Sequence, residues 1–426
     1  MRLLRRLDVP LLIATLALVV IGIIAIYSAT YHNDSTAVQS KQGLLAILDS
    51  AVQNAWSKQG LFAILAFVVA LAFVYVPEKV IHSVAYLLYM LGIVSLVAVL
   101  AWGTGDATRW LRLGPVMLQP SELAKIATII ALARYLSDRS VERVNSLGSF
   151  LGALFLILVP IALIVRQPDL GTAISFGAPF FPMIYWAGMR KFFIFLVISP
   201  LISVVCSLDL LWQGATPYVF AAFVIGSTFL IHHFMRRLWL TISMFVINTS
   251  AGLLTVYFLE NFLRPYQKAR IMTFFDPASD PLGDGWNIIQ SKIAIGSGGL
   301  TGKGLLEGTQ TKHQFLPAAH TDFIFSVIAE EGGFVMALIV LGLFFLLIYR
   351  ALHIASMANN AFYGLTALGL AAMLTFHVFI NVGMTIGVMP ITGLPLPFLS
   401  SGGSSLLSNL LAIGLLLHIG TYRHEF

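Results

Sequence analysis

The sequence is poor in cysteine and poor in charge. A single cysteine, Cys206, occurs in 426 residues, which excludes a disulfide framework and a metal site built from several thiolates. Charged residues make up only 10% of the chain, whereas a soluble domain carries about 25%. This shortage excludes an ordinary soluble protein. Hydrophobic residues supply 58% of the sequence, a composition typical of a polytopic membrane protein.

Apolar segments recur along the chain at the length of about 20 residues that a membrane-spanning helix needs. They predict an all-α polytopic membrane protein of about twelve transmembrane helices, forming one domain over 1–426. The segments are 10–29, 60–76, 81–101, 121–137, 147–165, 170–189, 191–208, 217–235, 238–259, 323–349, 360–381 and 404–421.

The basic residues indicate how these helices are oriented. With the N-terminus inside, 13 of the 25 Lys and Arg residues fall on inner segments and 5 on short outer loops, in agreement with the positive-inside rule. Both termini are then cytoplasmic, and a large polar loop at 260–322 is extracytoplasmic. This distribution accounts for the net charge of +6, so nucleic acid is not an expected partner.

The loop 260–322 is where we expect the chemistry. Pro277, Pro281 and Gly283 interrupt any helix, so three aspartates spaced four residues apart cannot share one helix face: Asp276, Asp280 and Asp284. An Asp before Pro or Gly commonly starts a turn, which is the alternative to a catalytic role. The stretch GSGGLTGKG resembles an anion-binding loop with Lys303 to pair with phosphate, but it lacks the spacing of a P-loop.

Ionisable residues within apolar segments are costly and are therefore functional candidates. Glu122 and Lys125 are three residues apart and share one helix face. They form either an ion pair that joins helices or, with Arg109, a cationic site for an anionic group in an outer cavity. Ser121 is the expected cap of this helix.

Two further motifs lie at predicted outer helix ends. Asp169, in QPDLGTA, is either the cap of the sixth helix or a functional carboxylate. The stretch PITGLPLPFLSSGGSS, at 390–405, contains too many prolines and glycines to be helical throughout. Irregular backbone at membrane depth is tolerated only under cover of protein or a watery cavity, so we expect this segment to re-enter the membrane and line a cavity.

A third motif precedes the tenth predicted helix. His320 lies two residues before Asp322, and either Thr321 or Asp322 would cap the helix. Glu330 and Glu331 follow inside it. The His–Asp proximity suggests a metal or proton site, although two residues do not make a ligand set.

These motifs, in this order, resemble the SEDS proteins, the RodA/FtsW/SpoVE family of peptidoglycan glycan-chain polymerases. The resemblance covers nearly the whole chain, and the stretch QSKIAIGSGGLTGKGLLEGTQTKHQFLP is closer to the elongation branch, RodA, than to the division branch, FtsW. It rests on RWLRLGPVMLQPSELAK, QPDLGTA, RPYQKARIMTFFDPASDPLGDGWNIIQSKIAIGSGGLTGKG, FLPAAHTDFIFSVIAEEGG and GLPLPFLSSGGSS.

The resemblance implies a glycosyltransferase at the outer face of the bacterial cytoplasmic (inner) membrane. An undecaprenyl-pyrophosphate-linked glycan is the donor, and the 4-hydroxyl of the GlcNAc of lipid II attacks its anomeric carbon. Loss of the α-linked pyrophosphate with formation of a β-1,4 bond is an inversion. A carboxylate base must activate the hydroxyl, and cationic groups or a metal must stabilise the departing pyrophosphate.

The resemblance also implies roles for individual residues. The family's essential acid is the Asp of its DPxGxG element, and DPLGDG makes Asp280 the catalytic base. Cationic residues at matching positions would contact the pyrophosphate, and a divalent cation, Mg²⁺ or Mn²⁺, is compatible with the chemistry. The motif positions assigned to substrate binding are Arg109, Glu122, Lys125, Asp169, Lys303 and His320.

The family works with a class B penicillin-binding protein transpeptidase and with elongation-complex membrane proteins, which implies equivalent partners for this chain. The chain departs from the ten spans usual in the family, because 191–259 holds three apolar segments where one is expected. A duplication also lengthens the first outer loop: SKQGLLAIL at 40–48 recurs as SKQGLFAIL at 57–65.

Other functions stay open at this stage. A twelve-span chain with buried ionisable residues is also compatible with a flippase for lipid-linked precursors or a secondary transporter. The absence of an evident inverted repeat, and the position of the ionisable residues near the outer side, argue against transport. A non-catalytic scaffold would not need Asp280, and an FtsW-like division polymerase is the alternative within the family.

Overall fold

The computed structural model describes residues 7–38, 54–103, 109–113, 116–208, 214–261, 284–313 and 315–422. Strands β1 (Leu111–Leu113) and β2 (Val116–Leu118) form an antiparallel hairpin with Leu111 opposite Leu118. The helices are α1 (Val9–Val38), α2 (Ala55–Phe73), α3 (Glu78–Trp102), α4 (Pro120–Ser137), α5 (Val141–Val144), α6 (Leu147–Arg166), α7 (Leu170–Gly177), α8 (Phe180–Trp186), α9 (Lys191–Cys206), α10 (Thr216–Met235), α11 (Leu238–Asn261), α12 (Asp284–Ser297), α13 (Thr309–Lys312), α14 (Ile324–Ser356), α15 (Ala361–Thr385) and α16 (Gly403–Tyr422).

Eight helices in the described part of the chain are long and apolar enough to cross a membrane. The prediction of an all-α polytopic membrane protein is confirmed, but the number of about twelve spans is not. The predicted span 170–189 is divided into α7 and α8, and α9 has only 16 residues. The eight stretches are Val9–Tyr31, Ala55–Phe73, Lys79–Trp102, Leu147–Arg166, Leu238–Tyr257, Ile324–Ser356, Ala361–Thr385 and Gly403–Tyr422.

The chain forms two compact units, one of residues 1–187 with 286–426 and one of residues 188–285. The first unit carries every described residue to which the sequence assigned a site role. The second contains α9, α10 and α11, where the sequence has more apolar segments than the family it resembles. The prediction of a single domain over 1–426 stays a prediction.

A buried asparagine joins the three helices of the second unit. Asn248 of α11 is fully buried, and its amide nitrogen donates to Ser227 Oγ of α10 at 3.0 Å. Its side-chain oxygen Oδ1 accepts from Ser199 Oγ of α9 at 3.1 Å, and its backbone carbonyl accepts from Ser203 Oγ of α9 at 2.6 Å. Because lipid gives helices no hydrophobic reason to associate, such interhelical hydrogen bonds help to hold them together.

In the first unit, two polar contacts fix α1 against α14. Near one end Arg350 forms an ion pair with the buried carboxylate of Asp8. Near the other, Ser28 Oγ donates to Glu331 Oε1 at 2.5 Å. Asp8 and Ser28 are 20 residues apart, which corresponds to about 30 Å of helix. That length equals the thickness of the hydrocarbon core, so the apolar stretch between the contacts has the length of one membrane crossing.

The start of α4 differs from the prediction that Ser121 caps it. The helix begins at Pro120 with Gln119 as its N-cap residue, so Ser121 lies inside the first turn. Proline suits the first helical position, where an N–H would have no partner within the helix. Gln119 donates its backbone N–H to Ser404 Oγ at 3.1 Å, which ties this helix start to α16.

The start of α14 also differs. The helix begins at Ile324, after Phe323, so neither Thr321 nor Asp322 caps it. The backbone carbonyls of these two residues accept hydrogen bonds from distant parts of the chain instead. That long-range pairing is the physical reason that the local capping rule gave the wrong answer.

Candidate functional site

The stretch between α15 and α16, residues 386–402, is irregular as predicted and is the centre of the candidate site. The apolar side chains of its later part are buried, including Leu394, Phe398 and Leu399, whereas Ile386 and Val388 at its beginning are exposed. Asn381 of α15, itself fully buried, donates to the Leu394 carbonyl at 2.8 Å. The non-helical backbone is therefore covered by protein, which is the condition for irregular structure at membrane depth. That it lines a cavity stays a prediction.

This stretch holds the His320 motif by its backbone. The Ser401 N–H donates to the His320 carbonyl at 2.9 Å, and Ser400 Oγ donates to the Thr321 carbonyl at 2.6 Å. The side-chain amide of Asn381 donates a further hydrogen bond, to the Asp322 carbonyl, at 3.0 Å. The His320 motif and the irregular stretch, some 80 residues apart in sequence, therefore meet at one end of the helices. We call this end, where α4, α7, α14 and α16 begin, the site end.

Burial lowers the pKa of His320, because the surrounding protein disfavours the charged imidazolium. The neutral form therefore contributes stability above the ordinary histidine pKa of about 6.5. That contribution is lost as the pH falls from there toward the lowered pKa of the folded protein. We expect the free energy of unfolding to decrease over this acidic range, and to decrease less steeply in His320→Gln. Unfolding midpoints measured against pH for both proteins test this, and identical slopes would contradict it.

Asp169 caps α7, the structural role that the sequence left open for it. Its carboxylate accepts from the Thr172 N–H at 3.1 Å. Arg109 lies beside it, with its Nε at 3.7 Å from Asp169 Oδ2, and donates to the Pro168 carbonyl at 2.6 Å. A Cβ at Gly171 would meet the carbonyl of Thr392, so the start of α7 packs directly on the irregular stretch. Arg109 and Asp169 thus belong to the site end.

Glu122 and Lys125 form a buried ion pair, with Nζ at 2.9 Å from Oε1 and both side chains 2% exposed. The same ammonium lies 3.2 Å from His377 Nε2 of α15. Glu122 Oε2 accepts from Ser408 Oγ of α16 at 3.0 Å. The pair thus joins three helices, which is the structural alternative stated for it. Its role in substrate binding stays a prediction.

The glycine-rich stretch after α12 packs against a kink in α14. Gly333 has φ of 69°, which interrupts the helix and frees backbone groups on both sides. The N–H groups of Lys303 and Gly304 donate to the carbonyls of Glu330 and Glu331 at 3.1 and 3.0 Å. These two backbone N–H groups, part of the stretch that suggested an anion-binding loop, therefore donate to the kinked helix, and the Gly302 N–H donates to the Gly298 carbonyl. A Cβ at Gly302 would collide with the carbonyl oxygen of Glu331, which explains the small residue.

Replacing Gly302 with alanine is expected to destabilise the protein by about 1–3 kcal/mol because its backbone is left-handed. The steric clash with the Glu331 carbonyl adds a further cost. Gly299 is the matched control, since its φ of 56° is also left-handed but open space surrounds it. Gly299→Ala should cost only about 1–2 kcal/mol. Unfolding free energies of the two variants in detergent micelles test this. Equal costs would show that the contact with α14 contributes nothing.

Lys303 is held by three acceptors. Its Nζ donates to Glu330 Oε1 at 2.7 Å, to Ser297 Oγ at 2.6 Å and to Thr309 Oγ1 at 2.8 Å. An ammonium has three N–H donors, so all of them are used within the protein. The predicted contact with pyrophosphate therefore requires that one of these bonds be exchanged.

Asp280, the predicted catalytic base, and Asp276 lie outside the described residues. Asp284 is the first residue of α12. Within the described ranges, no group of three or more His, Cys, Asp or Glu side chains is arranged to hold a metal ion. The involvement of Mg²⁺ or Mn²⁺ stays a prediction.

Sequence reasoning missed Asn381, His377 and Ser400 as parts of the site end. Asn381 and His377 are polar residues within an apolar span and fully buried, a signal that marks functional positions. Ser400 carried no such signal, because serines are common in irregular segments.

The sequence profile of the family FTSW_RODA_SPOVE, described as cell cycle protein, matches residues 9–219 and 214–425. The chain is 36% identical over 422 residues to the peptidoglycan glycosyltransferase MrdB of Escherichia coli (strain K12), covering 98% of this chain and 94% of that one. It is also 36% identical over 439 residues to the peptidoglycan glycosyltransferase RodA of Treponema pallidum (strain Nichols), covering 97% of each.

Solved structures agree. A chain from a structure described as "Structural coordination of polymerization and crosslinking by a peptidoglycan synthase complex" superimposes with a TM-score of 0.70 at 29% identity, over 99% of both chains. The crystal structure of Thermus thermophilus rod shape determining protein RodA gives 0.60 at 25% identity, over 99% of this chain and 98% of that one. Sequence and fold lead to one conclusion: the chain belongs to the FtsW/RodA/SpoVE family.

Proposed function

We propose that this protein is a peptidoglycan glycosyltransferase that polymerises lipid II into glycan strands for cell elongation. The observation that carries the proposal is the match, over 98% of the chain, to a relative named as a peptidoglycan glycosyltransferase. The assignment to elongation is supported by the names MrdB and RodA of the relatives at 36% identity. An FtsW-like division polymerase is the less favoured alternative.

In the proposed reaction, a base removes the proton of the 4-hydroxyl of the lipid II GlcNAc as that oxygen attacks the anomeric carbon of the growing glycan. The bond to the undecaprenyl pyrophosphate breaks, and a β-1,4 linkage forms with inversion. We propose Asp280 as this base. A carboxylate suits the task because a neutral sugar hydroxyl is a weak nucleophile.

The leaving pyrophosphate gathers negative charge, which cationic side chains stabilise. Among the three candidates, geometry favours Arg109. Its side chain is 31% exposed and its ion pair with Asp169 is loose at 3.7 Å. Lys125 is 2% exposed, and all donors of Lys303 are used. We propose that Arg109 contacts the pyrophosphate and that the two lysines act mainly by holding the site end together.

An apolar groove supports the choice of a lipid-linked substrate. It has a volume of about 380 Å³ and lies between α1 and α14, where Ile24, Ile328 and Ile339 line it. Thr301 and Glu331 form its polar end. A groove with one polar end beside the site can take the first part of a lipid chain while the headgroup stays outside the hydrocarbon.

We propose that the protein acts at the outer face of the bacterial cytoplasmic membrane, with both termini in the cytoplasm. The distribution of basic residues supports this orientation. A class B penicillin-binding protein transpeptidase is the proposed partner, together with other membrane proteins of the elongation complex. The similarity to a chain from a peptidoglycan synthase complex supports an assembly of this kind.

The experiment that tests the function uses the purified protein with its transpeptidase partner in lipid vesicles. Fluorescent lipid II is supplied, and the products are separated on a gel. Long glycan strands are expected. Movement of intact lipid II across the bilayer without strand formation would favour a flippase, and neither activity would favour a scaffold; both results contradict the proposal.

A further inference from the structure

Two adjacent carboxylates lie near the start of α14: Glu330 has no role in the reaction as proposed, and Glu331 enters it only as part of the polar end of the apolar groove. Glu330 is fully buried and Glu331 is 7% exposed, and both lie in a helix that is long and apolar enough to span a membrane. Burying a carboxylate costs several kcal/mol unless charged or hydrogen-bonding partners compensate for its lost hydration. The identity of those partners therefore indicates what the two residues do.

The partners of Glu330 all lie in one stretch of the chain, from Ser297 to Gln310. Its Oε1 accepts from Lys303 Nζ at 2.7 Å and from both the N–H and the hydroxyl of Thr309 at 2.9 Å. The Gln310 N–H adds a bond at 3.3 Å, and Ser297 Oγ lies 3.5 Å away. Thr309 is the first residue of α13, and by accepting from its N–H Glu330 also caps that short helix.

Glu331 fastens the same stretch to a second helix. Its carboxylate accepts from the backbone N–H groups of Leu306 and Gly308 and from Ser28 of α1. The stretch 297–310 is thus held between α1 and the kink of α14. We call this arrangement, made by Glu330, Glu331, Lys303 and Thr309, the carboxylate latch.

The latch fixes one end of α12. Ser297 is the last residue of this helix and accepts from Lys303 Nζ at 2.6 Å. The middle of α12 is fixed by Ser291, whose hydroxyl donates to the Thr385 carbonyl at 2.7 Å. Near the other end, Trp286 Nε1 donates to the Phe315 carbonyl at 2.8 Å. The helix is held at three points, and it begins four residues after Asp280 in the sequence.

We infer that Glu330 is a positioning residue of the glycosyl transfer, because it anchors α12 through the carboxylate latch. The inference rests on the proposed function. Glu330 touches no substrate in this account. It limits how far the helix that follows the catalytic segment can move, and misplacement of reacting groups by about 1 Å can lower a rate about 100-fold.

The test compares Glu330→Gln with Asp8→Asn. Asp8 is the matched control. Its side chain is fully buried and pairs with Arg350, which lies in α14 as Glu330 does but at the end away from the site. Strand synthesis from lipid II is measured at several substrate concentrations. We expect Glu330→Gln to lower kcat by about 100-fold, with KM unchanged, while Asp8→Asn keeps the wild-type kcat.

Proteolysis supplies a readout that separates positioning from general instability. Cleavage within 297–310 should be faster in Glu330→Gln than in the wild type and unchanged in Asp8→Asn. Thr309→Val, which removes the hydroxyl that donates to Glu330 and accepts from Lys303, serves if Glu330→Gln does not fold; it should also lower kcat, by a smaller factor.

The possible failures are distinguishable. If the wild-type protein makes no strands, the proposed function is wrong. If it makes strands but Glu330→Gln and Thr309→Val keep its kcat, or Asp8→Asn loses as much as Glu330→Gln, the proposed function stands and Glu330 has no positioning role.

Discussion

Replacing Asp280 with alanine is expected to abolish glycan-strand formation. A positioned general base contributes about 10²–10⁴-fold to a rate, and without it the 4-hydroxyl must attack while keeping its proton. The variant should still fold and bind the proposed transpeptidase partner, because Asp280 lies outside the apolar segments predicted from the sequence. The rate of strand synthesis from lipid II measures the effect, with expression and co-purification of the partner as checks.

The chain supplies matched controls for this prediction in the same loop. Asp276 precedes Pro277 and Asp284 precedes Gly285, positions at which an Asp commonly starts a turn. Asp276→Ala and Asp284→Ala are therefore expected to keep most of the activity. Strand formation by Asp280→Ala at the wild-type rate, or equal loss in all three variants, would rule out a specific role for Asp280.

Lys125→Met is expected to cause the largest loss of stability among the variants considered. Removing the cation leaves Glu122 as an uncompensated charge, with both side chains only 2% exposed. Breaking a buried pair in this way costs about 3–5 kcal/mol. The free energy of unfolding in micelles, measured by denaturant titration, gives the size of the effect.

A double variant and a surface pair serve as controls. Glu122→Gln combined with Lys125→Met removes both charges and should recover most of the lost stability. Asp138→Asn breaks a pair with Arg134 in which the Asp138 side chain is 43% exposed, and should cost at most about 1 kcal/mol. A similar cost for Lys125→Met and Asp138→Asn would contradict this explanation. Restored stability without restored strand synthesis would assign the Glu122–Lys125 pair a direct role in the reaction.

Local patterns in the sequence predicted the features that depend on neighbouring residues. The spacing of Glu122 and Lys125 placed them on one helix face, and the structure pairs them at 2.9 Å. The position of Asp169 before an apolar run predicted a cap, which is confirmed. The prolines and glycines of 390–405 predicted the irregular stretch, most of which is non-helical.

Features that depend on long-range packing could not be predicted in this way. The glycines near Lys303 suggested an anion site, but the backbone N–H groups of Lys303 and Gly304 donate to carbonyls of α14 that a kink at Gly333 sets free. The expected cap Thr321 failed because its carbonyl is bound by a distant residue, whereas Ser121 failed for a local reason, since Pro120 takes the first helical position. A single sequence does not specify which distant backbone groups will meet, so the carboxylate latch and the meeting of His320 with Ser401 had no local signal.

The proposed reaction requires that this chain itself form β-1,4 glycan linkages. The most direct measurement gives purified protein lipid II in the presence of a penicillin-inhibited transpeptidase partner, so that no cross-linking occurs, and then treats the products with a β-1,4-specific muramidase. We expect long strands that the muramidase reduces to disaccharide units. Unchanged lipid II, or products that resist the muramidase, would contradict the proposed reaction.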